Sequence, residues 1–264
     1  MHLSKISLAL RQWGAAGFSP LSLFASGEQG AWYDPSDLST MFQDSAGTTP
    51  VTTDGQSVGK ILDKSGRGNH ASQATAAARP LYKTDGTYHW LQFDGVDDSL
   101  STAAIDFTVT DSMSVFAGFY KASDAGTGIL VELSSNSNTN NGVFALIGPS
   151  ASGGSDLLYR SKGTVNSSTT ITSVLSSVKY VSANMSKIST DLFEMRLNGV
   201  SRQSLATDQG SGNYGNYIMY IGMRGSASAA FIGNLYPLII RGALSDAQQI
   251  TDVETWINRK TGAY

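Results

Sequence analysis

Cysteine is absent from the chain, which excludes disulfide bonds and thiolate metal sites. Histidine is scarce as well, with three residues in 264, so a clustered transition-metal site has too few ligands. Charged residues make up only 15% of the sequence and the net charge is −3, which gives no basic surface for nucleic acid. No apolar run approaches the about 18 residues of a membrane span, and Arg11 and Gln12 interrupt the N-terminal apolar stretch. We therefore expect no nucleic-acid partner, no signal peptide and no membrane insertion.

Turns rich in glycine and serine divide most of the sequence into short apolar segments. Their spacing is typical of a β-sandwich, and 264 residues fit a single large all-β domain. The strands predicted from these segments are residues 114–121, 128–134, 142–148, 156–160, 179–185, 192–197, 218–223 and 230–240. Asn198-Gly199 predicts a tight hairpin between segments 193–197 and 200–205, because both residues tolerate positive φ. The polar stretches 134–141 and 165–173 are predicted to be loops or sheet edges.

The C-terminal region has helical rather than strand periodicity. One predicted helical face is formed by Ile250, Val253 and Ile257. Ser245 and Gln248 have the spacing of a capping box. The sequence predicts a helix over residues 246–258 that packs on the edge or the convex back of the sandwich.

The N-terminal residues have an amphipathic pattern of their own. The apolar side chains that recur on one predicted helical face are Leu3, Ile6, Leu10 and Trp13. A helix this short is marginal alone, so the segment either packs on its own domain or docks on another subunit as an assembly arm. Residues 18–25 are predicted to be an extended linker, followed by a short helix over residues 35–41 and a weak strand over residues 49–53. We predict a docking arm and linker over residues 1–29 and a sandwich over residues 30–264.

Two polar corners, residues 62–71 and 91–100, each place an apolar strand beside a turn built from Asp, Gly, Asn or Ser. The second corner contains three carboxylates within five residues, those of Asp94, Asp97 and Asp98. Calcium takes oxygen ligands, so these residues and Asp63 of the first corner form a candidate calcium site if the corners meet in space. The alternative is that Asp94 caps its own turn while Asp97 and Asp98 lie in solvent.

The two corners also carry a family resemblance. The pattern D-x-S-G-x-G-N-x-A from Asp63, followed by F-D-G-x-D-D-x-L from Phe93, resembles the opening of laminin-G-like, concanavalin A-like lectin and glucanase modules. With residues 31–47 included, the sequence is similar to the version of this module found in tailed-phage and prophage virion proteins. The resemblance runs from about residue 30 to the C-terminus. It implies a concanavalin A-like jelly-roll β-sandwich with one C-terminal helix, a fold that hosts lectins, glycosidases and structural modules alike.

A loop rich in tyrosine and asparagine has the chemistry of a sugar site. It brackets two aromatic rings with carboxamides and flexible glycines, and the residues concerned are Asn213, Tyr214, Asn216 and Tyr217. Sugars bind to an exposed aromatic face and to planar polar groups that contact their hydroxyls. The alternative is an ordinary hairpin connection with a buried tyrosine, which is common in sandwiches.

The glycosidases of the jelly-roll family carry the motif Glu-x-Asp-x-(x)-Glu on one strand, so that alternate side chains face one cleft. The four glutamates of this chain are Glu28, Glu132, Glu194 and Glu254, and none has an aspartate two positions after it. No G-x-S-x-G elbow occurs, and His70 is predicted to be a turn residue bonded to the backbone. The sequence therefore predicts no enzyme. The alternative is a polysaccharide-processing glycoside hydrolase whose carboxylates come from distant strands.

The resemblance and the missing catalytic motif together predict a non-enzymatic structural component of a tailed-phage or prophage virion, in the tail, the baseplate or the capsid surface. We expect such a protein to be assembled in the host cytoplasm, to form a homo-oligomer and to contact other virion proteins through its N-terminal arm. The outward lectin-like module either binds host surface glycans or only decorates and stabilises the particle. Calcium is the one cofactor that the sequence suggests.

Overall fold

The computed structural model of the protein describes residues 17–225 and 227–264, and these residues form two antiparallel β-sheets. The strands are β1 Gly30–Tyr33, β2 Met41–Phe42, β3 Lys60–Ile61, β4 Ala71–Ser72, β5 Leu81–Thr84, β6 His89–Asp94, β7 Leu100–Asp106, β8 Ser112–Lys121, β9 Ile129–Leu133, β10 Val143–Ile147, β11 Asp156–Lys162, β12 Asn166–Thr172, β13 Lys179–Lys187, β14 Leu192–Leu197, β15 Val200–Ala206, β16 Asn216–Ile221 and β17 Ile232–Arg241. A single α-helix in these residues, α1 Ala247–Thr261, follows the last strand.

Strands distant in sequence lie side by side in both sheets. The first sheet has the order β15-β14-β13-β8-β17-β6-β5, with β1 pairing to the end of β17. The second sheet has the order β12-β11-β10-β9-β16-β7-β4-β3-β2. The predicted all-β, jelly-roll β-sandwich with one C-terminal helix is confirmed. The predicted N-terminal arm residues Leu3, Ile6, Leu10 and Trp13 lie outside the described residues.

The main hydrophobic core lies between the two sheets. On β8, Val115 and Ala117 face this core while Phe116 points to the outer side, as strand alternation requires. The Asn198-Gly199 hairpin between β14 and β15 is confirmed, with φ of 51° and 73° at its two central residues.

Helix α1 packs on the outer face of the first sheet. Its buried residues Ile250, Val253 and Ile257 contact a cluster that includes Phe116 of β8 and Ile239 of β17. Burying each such side chain contributes about 1.5–3 kcal/mol, so packing holds the helix in place more than its intrinsic propensity does.

The cap of α1 lies one residue beyond the predicted position. Asp246 accepts a hydrogen bond from the Gln249 backbone at 2.8 Å, and the Gln249 side chain accepts one from the Asp246 backbone at 3.0 Å. Ser245 is engaged elsewhere, because its backbone donates to Ser114 at 3.0 Å. The helix continues to Thr261, beyond the predicted end at residue 258, and Gly262 ends it in the left-handed conformation with φ of 62°.

Three local predictions were wrong. Residues 18–25 are not an extended linker, because Pro20–Phe24 forms a 3-10 helix whose Leu23 and Phe24 pack beside α1. Residues 35–41 contain only a 3-10 turn at Leu38–Thr40, since Asp34 bonds to Ser36 and does not cap a helix there. Residues 49–53 form no strand and make only a bridge between Phe42 and Pro50. No helix within residues 17–225 and 227–264 has the length and apolarity to cross a bilayer.

Candidate functional site

In the first polar corner, both carboxylate oxygens of Asp63 accept hydrogen bonds from nearby residues. Asp63 Oδ1 accepts from the backbone N–H groups of Trp32 at 2.9 Å and Ser65 at 2.8 Å. Its Oδ2 accepts from the Ser65 hydroxyl at 2.7 Å and from the Asn69 backbone at 3.0 Å. Asp63 is not among the acidic residues whose oxygens converge at the second corner. Its assignment to a shared calcium site was therefore wrong, because the carboxylate organises its own turn.

The same corner fastens the N-terminal segment to the sandwich. The Arg67 guanidinium donates to the backbone carbonyls of Glu28 at 2.8 Å and Phe24 at 2.6 Å, and the Asn69 side chain donates to the Gly30 carbonyl at 2.7 Å. His70 Nδ1 accepts from the Asp63 backbone at 2.9 Å, as predicted for a turn residue. The role of this corner is thus structural, because its hydrogen bonds hold the preceding segment against the sandwich.

The second corner brings its three carboxylates together where β6 ends. Ligand oxygens of Asp94, Asp97 and Asp98 lie within 4.8 Å of one another. Asp94 also caps its own turn, accepting from Val96 N at 2.8 Å and Asp97 N at 3.4 Å, while its own N–H donates to Asp98 Oδ2 at 3.0 Å. The alternative in which Asp94 caps its own turn is met, although Asp98 is buried and not solvated. Carboxylate oxygens suit calcium, so calcium at these three residues stays a prediction.

Asp98 has an unusual electrostatic environment. It is only 6% exposed. Burial raises the pKa of Asp98 to about 6, and the nearby charges of Asp94 and Asp97 add to this, while the hydrogen bond from the Asp94 backbone opposes it. A positive group bound at this corner would lower the cost of keeping the three carboxylates charged.

A groove of about 500 Å³ opens beside the acidic corner on the outer face of the first sheet. It is lined by Leu81, Gln92, Phe93, Asp94, Asp98, Tyr120, Ala122, Ile232, Gly233 and Asn234. Pockets of about 300–1,000 Å³ with a few convergent polar groups are typical sites for small ligands. The groove, with the acidic corner at one end, is the candidate functional site.

Strand alternation places the polar side chains of the groove. On β6, Leu91 and Phe93 are buried in the core, so Gln92 and Asp94 point to the outer face. Gly233 of β17 keeps the neighbouring backbones close, because an added Cβ would lie 2.1 Å from the carbonyl oxygen of Tyr120.

Helix α1 determines how much of this outer face remains open. Thr261, in its last turn, lies over Gly118 of β8, where an added Cβ would be 2.6 Å from the threonine methyl group. Two residues farther along the same strand face, Tyr120 is partly exposed. The Trp90 and Tyr236 rings pack together on this face, with centroids 5.7 Å apart. The groove therefore occupies the part of the sheet that α1 leaves uncovered.

The tyrosine loop does not form the predicted sugar platform. Tyr214 is 1% exposed, and its hydroxyl contacts Ser161 Oγ at 2.6 Å and Ser186 Oγ at 2.8 Å between the sheets. Burial raises the pKa of Tyr214 to about 12. Its assignment as a stacking residue was wrong, because the ring has no exposed face.

The other three loop residues lie at or near the surface. Tyr217 is partly buried against the core and packs over Gly215, where an added Cβ would lie 2.2 Å from the ring. Asn213 is exposed and donates to the Thr108 carbonyl at 2.7 Å, and Asn216 is exposed. Sugar binding by Asn213, Asn216 and Tyr217 stays a prediction.

Each glutamate of the chain is paired with an arginine. The pairs are Glu28 with Arg241 at 2.7 Å, Glu132 with Arg224 at 3.0 Å, Glu194 with Arg196 at 4.0 Å and Glu254 with Arg196 at 3.0 Å. Glu132 is fully buried, so it offers no carboxylate to a substrate. The contacts of Glu28, Glu132 and Glu254 are close enough to hold these three carboxylates in ion pairs within the fold.

No protein-family model matches the chain, and no curated protein matches it either. Solved structures do match. The binding domain of botulinum neurotoxin serotype D has a TM-score of 0.56 at 11% identity, covering 74% of this chain and 47% of that one. The receptor-binding domain of botulinum neurotoxin type G has a TM-score of 0.55 at 9% identity, covering 74% and 48%.

A third neighbour was solved with a sugar. It is the ligand-binding domain of botulinum neurotoxin serotype D in complex with N-acetylneuraminic acid, with a TM-score of 0.54 at 11% identity, covering 74% of this chain and 47% of that one. The chain thus spans about half the length of these neighbours. Identities this low show the fold alone, and that fold is a lectin-like β-sandwich.

Proposed function

We propose that the protein is a lectin-like module that binds glycans in the groove beside the acidic corner. The observation that carries this proposal is the convergence of sugar-binding chemistry in a cavity of about 500 Å³. Tyr120 supplies a partly exposed aromatic ring, and Gln92 and Asn234 supply carboxamides for sugar hydroxyls. Asp94 and Asp98 add acceptors at one end.

The fold is consistent with this proposal. The neighbouring solved domains are described as receptor-binding domains, and one was solved with N-acetylneuraminic acid. At 9–12% identity, their ligands cannot be transferred to this chain residue by residue. The location of the site is therefore argued from the groove of this protein.

A glycoside hydrolase is the alternative function. A retaining enzyme needs two carboxylates about 5–5.5 Å apart that flank the reacting carbon from opposite sides. Asp94 and Asp98 are close enough, but they belong to one turn and are joined by the hydrogen bond from Asp94 N to Asp98 Oδ2. Both would contact the same side of a bound sugar, an arrangement that favours binding over cleavage.

A glycan array followed by titration calorimetry tests the proposed site. Replacing Tyr120 with alanine should lower the affinity for the best-binding glycan at least about tenfold, equivalent to about 1.4 kcal/mol, because the stacking surface is lost. Tyr220→Ala is the matched control, since Tyr220 is also a partly exposed strand tyrosine but lies on the second sheet. Melting temperatures of both variants establish that they are folded.

The remaining results separate the alternatives. If Tyr217→Ala loses glycan binding and Tyr120→Ala keeps it in full, the glycan site lies at the tyrosine loop. An array without hits would contradict the glycan-binding function itself. Release of reducing ends from a bound polysaccharide, abolished in Asp98→Asn, would establish the hydrolase instead.

We also propose that the module is carried on a tailed-phage or prophage virion, as a homo-oligomer held to other virion proteins through its N-terminal arm. The support for this setting is the sequence likeness at residues 31–47, 63–71 and 93–100. Mass spectrometry of purified particles, together with light scattering of the isolated protein, tests the setting. Absence of the chain from the particles would contradict it.

A further inference from the structure

We propose that the groove selects a sugar residue that bears a free amino group, so that the ligand is a cationic hexosamine glycan. This inference rests on the proposed glycan-binding function and adds the chemical class of the ligand. Three observations support it, which are the charge of the groove, the unfilled oxygen of Asp98 and the spacing of the three carboxylates at the adjoining acidic corner.

The charge of the groove is negative and is not balanced within its lining. Asp94 and Asp98 line it, whereas its ten lining residues include no lysine, arginine or histidine. The lysines nearby in the sheet have other partners. Lys83 on β5 forms an ion pair with Asp54 at 2.5 Å. Lys179, the cross-strand neighbour of Tyr120, lies over the Tyr88 ring at 4.1 Å.

Asp98 presents an oxygen that the protein leaves without a partner. Its Oδ2 accepts from the Asp94 backbone, and no hydrogen bond from residues 17–225 or 227–264 reaches its Oδ1. The side chain is 6% exposed and lines the groove, and this oxygen is not among the fully buried polar atoms that lack a partner, so a ligand in the groove can reach it. A donor carried by the ligand would fill it, and a positively charged donor would do so most strongly.

The spacing of the carboxylates fits one ammonium group. Oxygens of Asp94, Asp97 and Asp98 lie within 4.8 Å of one another, so some point lies no more than about 2.8 Å from all three, which is the usual length of an N⁺–H···O⁻ bond. An ammonium has three N–H donors, one for each carboxylate. An N-acetyl group removes that charge and two of the donors.

The same geometry disfavours acidic sugars. A sialic acid carboxylate or a sulfate at this end of the groove would approach the carboxylates of Asp94 and Asp98, and like charges at close range are strongly repelled. The ligand class expected here is thus opposite in charge to the N-acetylneuraminic acid bound by one structural neighbour.

Calorimetry with two chitin-derived oligomers of equal length tests the inference. The fully deacetylated oligomer should bind at least about tenfold tighter than the N-acetylated one, and sialyllactose should not bind. Asp98→Asn should reduce the preference for the free amine by about 10- to 100-fold, the range expected for a hydrogen bond to a charged group. Asp208→Asn is the control, because it removes one exposed negative charge elsewhere and should leave the preference intact.

The outcomes separate this inference from the function on which it rests. If both oligomers bind equally and both are weakened by Tyr120→Ala, the groove binds glycans but the amine selectivity is wrong. If no glycan binds the wild-type protein, the proposed function fails first. The titrations are repeated with chelator and with calcium, because calcium would use the same carboxylates. Glycan binding that requires calcium would overturn the inference, whereas selectivity that persists in chelator supports it.

Discussion

Burial and two neighbouring carboxylates raise the pKa of Asp98 to about 6 from an ordinary value of 3.8. The folded state therefore binds more protons than the unfolded state between these values, so this group makes stability fall as pH rises through that window. We expect Asp98→Asn to raise the melting temperature at pH 7 and the gain to shrink towards pH 4, where the aspartate is itself protonated. Thermal melts from pH 4 to 8 in chelator test this. A gain that is the same at every pH would show that the charge of Asp98 is not its source.

The residues of the second corner were largely predictable, whereas the exposure of the tyrosines was not. Three carboxylates within five residues must lie near one another, and Asp94, Asp97 and Asp98 do. Tyr214 and Tyr217 share one loop and the same chemical surroundings in the sequence. What separates them is that Tyr214 reaches Ser161 and Ser186, which are 53 and 28 positions away. No local pattern contains that information.

Gly118 allows helix α1 to lie against the first sheet. An added Cβ would lie 2.6 Å from Thr261 and 2.9 Å from Ile257, and both of these residues are fully buried in the packed helix. We expect Gly118→Ala to lower the free energy of unfolding by about 1–3 kcal/mol, as overpacked cores do. Gly126→Ala is the matched control, because nothing lies within 4 Å of its added Cβ. Urea denaturation of both variants tests this, and equal stability would mean that the helix shifts without cost.

At the scale of elements, the hydrophobic pattern predicted the strands and the helix whose apolar residues recur at regular spacing. The long apolar strands β8, β13 and β17 and the helical face of α1 were evident. β12 was recognised only as a loop or sheet edge, because it lies at the edge of its sheet and consists mainly of serine and threonine. The position of α1 on the sheet, which leaves the groove open, depends on contacts between distant strands and could not be derived.

Among the described residues of the molecule, one hydrophobic cluster lies between the sheets and another lies beneath α1. The second also includes Leu23 and Phe24, which are 0% and 3% exposed. Leu23 and Phe24 therefore pack on the sandwich, although the predicted boundary at residue 30 assigns them to the arm and linker. Residues 20–24 belong energetically to the folded module, and Phe18 packs against the same cluster.

Two N-terminal deletions distinguish the arm from the module. Removing residues 1–16 should leave the melting temperature within a few degrees of the wild type, because every contact among the described residues is kept. Removing residues 1–25 should cost several kcal/mol, since deleting a buried leucine or phenylalanine side chain alone costs about 2–5 kcal/mol. It also takes from Arg67 the Phe24 carbonyl that its guanidinium contacts at 2.6 Å. If the N-terminal residues mediate assembly, the shorter deletion should lower the oligomer mass in light scattering without lowering stability. An unchanged mass together with an unchanged melting temperature would show that the amphipathic pattern at Leu3, Ile6, Leu10 and Trp13 has no role in assembly.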